Sequence, residues 1–364
     1  LLTFTQQLIR AKKEIKILGD KKMSLKYKVL KVSRDVGSGS RAVGPSMTKL
    51  EADEFAKWGV ELVEVGIDDK AGLAAALKEA DLMLYGGVPI TSEMMDSAKK
   101  CQAILAQTVG YDPIDVKAAS AHNILVVNNP SFEWCVEEVS NHAMALMLAC
   151  AKHMRILDIL VRQGNWAEAK KAQKPMGSIY GQTLGIVGCG AIGRMVSRKA
   201  RAFGMTVLGY DPYVEKWLAK ENGITLSKLG EVLACDYVTL HPDLNETSMH
   251  MMDDHAFGHM KPTAFIINTS RGKVIDEAAL VRALTAKKIA GAGLDVYESE
   301  PVSKDNPLIK FDNVIMLPHS ASYSDLAFSI APVNIAAEAG RIVSGKWPNN
   351  AVDKTVKPKV NLTK

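Results

Sequence analysis

Three apolar runs of strand length, far apart in the chain, each lead to a side chain able to do chemistry. AFIINTSRG ends at Arg271, IAGAGLDVYESEP carries Asp295 at its strand end with Glu300 just beyond, and NVIMLPHSA places His319 two residues after the run. Open α/β sheets form their ligand crevices at the carboxyl ends of strands, so these groups can share one edge. A guanidinium presents a rigid fork of donors that fits a planar carboxylate and the carbonyl beside it, which suits Arg271 to an α-keto acid. An imidazole titrating near neutrality can give or take the proton when the oxygen on C2 changes between carbonyl and hydroxyl, the role open to His319. A carboxylate on the other ring nitrogen would fix the tautomer and favour imidazolium, and Glu300 is the candidate. Each residue alone has a plain reading as a surface turn, loop end or strand terminus; together they suit hydride transfer to or from a hydroxy acid.

Such a transfer needs a dinucleotide, and TLGIVGCGAIG from Thr183 to Gly193 supplies the fingerprint for one. The apolar run Leu184 to Val187 feeds a glycine turn, then helical spacing takes over at Ile192, Val196, Ala200 and Phe203. Gly188 permits the tight turn, Gly190 lets the backbone approach a pyrophosphate, and Gly193 allows the helix to pack close to the strand. The next strand, Met205 to Tyr210, ends at Asp211, 18 residues beyond the last glycine. A carboxylate there can accept the adenosine ribose hydroxyls and repel a 2′-phosphate, which favours NAD over NADP.

The fingerprint stands near the middle of 364 residues, so another domain must come largely from the first half. From Lys26 to about Val127 the text alternates strand and helix in the order βαβαβαβαβ, which predicts a small doubly wound parallel sheet. A long helical run from Phe132 to His153 could join the two domains. Arg162 to Ser178 reads as a linker, further βα units reach about His319, and a last helix, Asp325 to Val343, precedes a polar tail. The domain expectation is therefore an extension outside the fold over 1–23, a discontinuous substrate-binding domain over 24–128 and 322–352, an NAD-binding Rossmann domain over 129–321, and a tail over 353–364.

With 47% hydrophobic and 23% charged residues, the chain can bury large cores, and disorder is not the default. The formal net charge of +5 resides in the two ends, Lys- and Arg-rich before Lys28 and Lys-rich from Lys354. The body between them is net acidic, which leaves no basic groove for nucleic acid. The longest apolar stretch, within Ala143 to Ala151, is far shorter than the roughly 20 residues of a membrane span, so neither a span nor a secretory signal is expected. Cys101, Cys135, Cys150, Cys189 and Cys235 are odd in number and scattered, which reads as buried thiols in a reducing, cytoplasmic setting.

Taken in order and spacing, GIVGCGAIG with YDPY, LHPDLNETS, MKPTAFIINTSRGKVIDEAALVRAL, GAGLDVYESEP and LPHSA resemble the D-isomer-specific 2-hydroxyacid dehydrogenase family. LYGGVPIT, VGYDPIDVKAASAHNILVVNNP and VEEVSNHAMALML resemble its substrate-domain and hinge segments, so the likeness runs from about Tyr27 to Val352. The resemblance implies two doubly wound domains, Rossmann and flavodoxin-like, with the active site in the cleft between them, and a homodimer formed through the nucleotide-binding domain. It implies that Arg271 binds substrate, His319 is the acid or base and Glu300 supports it. Ala191, Ile192 and Asp211 would contact the adenosine half of NAD, Thr269, Ser270 and Asp295 would line the nicotinamide side, and His241 would approach the cofactor.

The family's substrate loop falls at LYGGVPIT, where amides near Tyr85, Gly86 and Gly87 would receive the carboxylate. Phosphoglycerate dehydrogenases of the family typically carry an arginine in this loop and many a regulatory C-terminal domain. Neither is seen here, so a small unphosphorylated acid is expected, with glyoxylate or hydroxypyruvate reductase and D-lactate dehydrogenase as the patterns. Asp243 in LHPDLN stands where the family usually has proline. Alternatives are a dinucleotide-sensing regulatory protein on the same fold and a phosphite or formate dehydrogenase, the latter disfavoured because formate enzymes usually carry Gln at the position of Glu300. His255 and His259, one helical turn apart, invite a metal reading, but the segment reads as an ordinary helix without a third ligand and no metal is expected. Trp134, Cys135 and His142 on the connecting helix read as core packing.

Overall fold

The computed structural model describes residues 24–34, 47–129 and 135–363. The proposed extension over 1–23, the start of the connecting helix at Phe132 and Trp134 lie outside these residues. Contacts divide the chain into two units: the residues up to Cys135 together with Ser324–Lys364, and Val136–Tyr323.

The first unit holds five parallel strands, β1 Tyr27–Ser33, β2 Val60–Gly66, β3 Leu82–Tyr85, β4 Ala103–Leu105 and β5 Leu125–Val127. Their order, β2-β1-β3-β4-β5, is that of flavodoxin-like sheets. Successive side chains point to opposite faces, so Leu30, Val32, Met83, Ile104 and Val126 enter one core while Val29, Leu82, Leu84, Leu105 and Val127 enter the other. The connecting helices start where side chains cap free amides: Asp69 accepts from Gly72 N, Thr91 from Met94 N and Asp115 from Ala118 N.

The helix Asp325–Val343 buries Ile335, Ala336, Ala339 and Ile342 in the second of those cores. By length and composition alone it is apolar enough to cross a membrane. Half of that stretch is buried against the sheet, and Glu338 within it accepts the Asn349 N–H at 2.8 Å, as a core helix does. The expected polar tail is also packed. Val356 is buried, Ser120 Oγ donates to Asp353 Oδ2 at 2.8 Å, and Trp347 N donates to Thr363 O at 2.8 Å. Its few apolar residues suffice because they close the open edge of a core already built.

The second unit contains β6 Thr183–Val187, β7 Thr206–Tyr210, β8 Thr225–Leu226, β9 Tyr237–Leu240, β10 Phe265–Asn268, β11 Gly291–Leu294 and β12 Val314–Met316. All pairs are parallel in the order β12-β11-β10-β9-β6-β7-β8, so the strand order reverses between β6 and β9. That switch point is where doubly wound sheets bind dinucleotides. The helices Glu137–Ala151 and Ala191–Ala202 cover one face, and Asp254–Gly258 and Glu277–Thr285 the other. Part of the expected linker is the helix Trp166–Ala172, whose WAEAKKA is rich in strong helix formers.

Candidate active site

At the carboxyl end of β6, Gly188 adopts φ +89°. A Cβ there would meet the His241 and Pro242 backbone at 2.6 Å, so only glycine fits both the turn and the neighbouring chain. Gly193 packs against Gly188 O, whereas Gly190 borders open space at the start of the helix Ala191–Ala202. Ala191 is exposed there, with Ile192 half-buried. The first-turn amides thus face a gap that a pyrophosphate can enter. Asp211 braces the loop: Oδ2 accepts Cys189 N at 2.8 Å, and Oδ1 accepts Tyr213 N at 2.8 Å and Val214 N at 3.1 Å. A carboxylate has about four acceptor positions, so one remains for a ribose hydroxyl rather than a pair.

His241 and Thr269 follow β9 and β10 in adjacent register, since Leu240 pairs with Asn268. His241 Nδ1 and Thr269 Oγ1 are buried with no hydrogen-bond partner, as expected of groups awaiting a polar ligand at this crevice. Burial pushes the His241 imidazole down to about 3, so it stays neutral, with Nε2 2.9 Å from Thr239 Oγ1. Asp243 is exposed, and its carbonyl accepts from Asn245 and Ser248.

Asn268, the polar last residue of β10, shapes the next turn. Its Oδ1 accepts Ser270 N at 3.0 Å and Ser270 Oγ at 2.9 Å, and its Nδ2 donates to Arg271 O at 2.9 Å. Arg271 Nη1 donates to Ser270 O at 2.8 Å. Gly272 then packs so closely on the Tyr297 and Glu298 backbone that no Cβ could be accommodated, which sets the Arg271 turn against the loop bearing Glu300. Glu300 Oε1 accepts Tyr297 N at 3.0 Å, and Oε2 lies 2.7 Å from His319 Nδ1. The hydrogen bond to Glu300 raises the His319 pKa above its ordinary value, against burial and the Arg271 charge, which lower it. Burial works to raise the Glu300 carboxyl, but His319 and the Tyr297 amide outweigh it and hold it low. Arg271, Glu300 and His319 are therefore brought to one edge.

Asp295 is fully buried at the end of β11. Burial opposes its charge, yet His142 and the amides of Ser320 and Ala321 keep its carboxyl below the usual range. Sequence reasoning assigned His142 to packing; a polar residue on the buried side of an apolar helix was the signal available. Asn268 was likewise missed, although a terminal Asn in the apolar run FIIN was visible.

Elsewhere, Gly86 in the first unit fits because a Cβ would meet Val32 O at 2.5 Å. Gly87, at φ +89°, borders open space beside the half-buried Tyr85. His255 and His259 place their Nε2 atoms 3.3 Å apart, and His250 pairs with Glu298 at 2.9 Å. Among the described residues no group of three or more His, Cys, Asp or Glu forms a metal cage. All five cysteines are buried. A cavity of about 810 Å³ opens beside Glu300 and His319, and another of about 620 Å³ lies at the amino ends of β6 and β9 to β12, away from the chemistry.

The family model described as D-isomer specific 2-hydroxyacid dehydrogenase, NAD binding domain, matches residues 144–321. The chain is 40% identical over 270 residues to a glyoxylate reductase of Korarchaeum cryptofilum, covering 74% of this chain and 81% of that one. A D-3-phosphoglycerate dehydrogenase of Methanocaldococcus jannaschii is 37% identical over 81% of this chain, which spans only 56% of that longer protein. Among solved structures, the NADPH-dependent glyoxylate/hydroxypyruvate reductase of Sinorhizobium meliloti, in complex with NADP and malonate, superposes with a TM-score of 0.77. It is 27% identical, with 92% of this chain and 98% of that chain covered.

Proposed function

Because the chain belongs to the D-isomer-specific 2-hydroxyacid dehydrogenase family, we propose that it interconverts a small unphosphorylated D-2-hydroxy acid and its 2-keto acid, with glyoxylate or hydroxypyruvate as the first substrates to try. The observation that carries this reading is the His319–Glu300 pair at 2.7 Å on the edge shared with Arg271 and the glycine loop. The bound dinucleotide would supply the hydride acceptor for oxidation at C2 as NAD and the hydride donor for reduction as NADH. Glu300 accepts a hydrogen bond from His319 Nδ1–H, which leaves Nε2 to serve the C2 oxygen. In reduction the imidazolium gives its proton to that oxygen; in oxidation the neutral ring takes it back. Arg271 holds the substrate carboxylate, and the amides at Gly190 and Ala191 with Asp211 hold the dinucleotide.

The test is NADH oxidation against a panel of 2-keto acids, with phosphohydroxypyruvate as the phosphorylated comparison. Turnover with the small acids, lost by at least about 100-fold in Arg271→Ala and His319→Ala proteins that still bind NADH, is expected. Wild-type turnover in both variants would rule this mechanism out.

A homodimer belongs to the same reading. The helix Met154–Arg162 buries none of its residues within the chain, and Met154, Val161, Trp166 and Tyr180 are exposed. Apolar patches of this kind suit a second copy. Light scattering that gives a dimer for the wild type and a monomer for Trp166→Glu is expected. Five buried thiols support a reducing, cytoplasmic setting.

A further inference from the structure

We propose that His142 is a positioning residue: it braces the buried Asp295 carboxylate, which in turn fixes the backbone that presents His319. This rests on the reading of His319 as the proton-transfer group. His142 Nε2 is buried and has no hydrogen-bond partner, and the polar group it approaches is Asp295 Oδ1, at 3.5 Å. Asp295 receives three successive amides. Its carbonyl accepts His319 N at 2.8 Å, Oδ1 accepts Ser320 N at 2.9 Å, and Oδ2 accepts Ala321 N at 2.8 Å. Between them His319 adopts φ +53°, a left-handed conformation that a residue with a Cβ holds only when its surroundings impose it. The three bonds to Asp295 impose it.

The buried carboxylate otherwise receives only neutral donors, the Ser320 and Ala321 amides and Ser320 Oγ at 3.4 Å, and the His142 imidazole edge at 3.5 Å adds a further N–H facing the charge. Loss of that donor leaves the charge to attract water or a proton, and either loosens the grip on Ser320 and Ala321. The ring cannot simply withdraw, because its helix is anchored through Ala143, Met144, Leu146, Met147 and Cys150 in the core beneath the sheet. The turn that carries it is also tied to the fingerprint helix: Lys199 Nζ donates to Ser140 Oγ at 2.7 Å and Asn141 Oδ1 at 2.6 Å. One helix turn thus references the proton-transfer loop to the dinucleotide loop.

The experiment uses the full chain, with His142→Ala and with His142→Gln, whose amide can still donate. Amide hydrogen exchange at Ser320 and Ala321 is expected to speed up about tenfold in His142→Ala relative to Ile266 and Ile267 in β10, and to recover in His142→Gln. In 2-keto acid reduction, kcat is expected to fall about tenfold with KM for NADH within about twofold, and again to recover in His142→Gln. If His142→Ala does not fold, His142→Leu fills the space without a donor and carries the same expectation. Wild-type exchange at Ser320 and Ala321 in the donor-free variant overturns the proposal. A wild-type protein that turns over no acid sinks the enzymatic reading instead, and the exchange measurement still decides the brace.

Discussion

Glu300 Oε2 lies 2.7 Å from His319 Nδ1, while Oε1 of the same carboxylate accepts the Tyr297 N–H. The carboxylate is thus pinned at one end to its own loop and at the other to the imidazole, so the ring's tautomer and its charge are set together.

Removing that partner separates the two directions of reaction. Glu300 raises the His319 pKa, so in Glu300→Gln the midpoint falls toward the ordinary value of 6.5. Reduction, which needs imidazolium, is then lost at lower pH than in the wild type, whereas oxidation, which needs the neutral ring, extends to lower pH. A fall of about 10- to 100-fold in kcat for reduction near pH 8 is expected, read from pH profiles in both directions. Stability follows the same signs. The contribution of His319 is complete below 6.5 and declines as pH rises through its raised value, and that of Glu300 is complete above 4.5 and declines as pH falls through its lowered value.

Gly272 tolerates no side chain, because its α-carbon rests on the Tyr297 and Glu298 backbone. Gly272→Ala must push the Arg271 turn away from the Glu300 loop. Thermal unfolding is expected to show a loss of about 2–4 kcal/mol, with a higher KM for the keto acid and unchanged NADH affinity. An unaltered Tm and KM would mean the two loops move apart freely.

Asp211 holds three backbone amides, that of Cys189 in the glycine loop and those of Tyr213 and Val214 in its own turn. Asp211→Ala is therefore expected to weaken NADH and NADPH together and to cost about 1–3 kcal/mol of stability. Asp211→Asn, which keeps an acceptor but not the charge, should narrow the preference for NADH by about tenfold. Fluorescence titration with both cofactors separates these outcomes.

The thiols are shielded. Burial pushes Cys101, Cys150 and Cys189 up to about 12 and raises Cys235. A thiol reagent at pH 8 is expected to leave the native protein unmodified and to label five cysteines in denaturant. Rapid labelling of any described cysteine before unfolding would contradict that burial.

Much of this chemistry is legible in the sequence alone. Glycines at 188, 190 and 193 between an apolar run and a helical repeat encode a turn by local sterics, and Asp211, Asp295 and His319 are identified as strand-end residues because each follows an apolar run. What lies between strands distant in sequence could not be read this way. The packing of Gly272 on Tyr297, the bond of Asp211 to the Cys189 amide, the approach of His142 to Asp295 and the docking of residues 353–363 each join segments whose nearness depends on sheet order and helix packing. Periodicity in a sequence specifies which face of an element is apolar, and so identifies elements and their ends. It carries no term for which other element meets that face, and only the tertiary structure settles that.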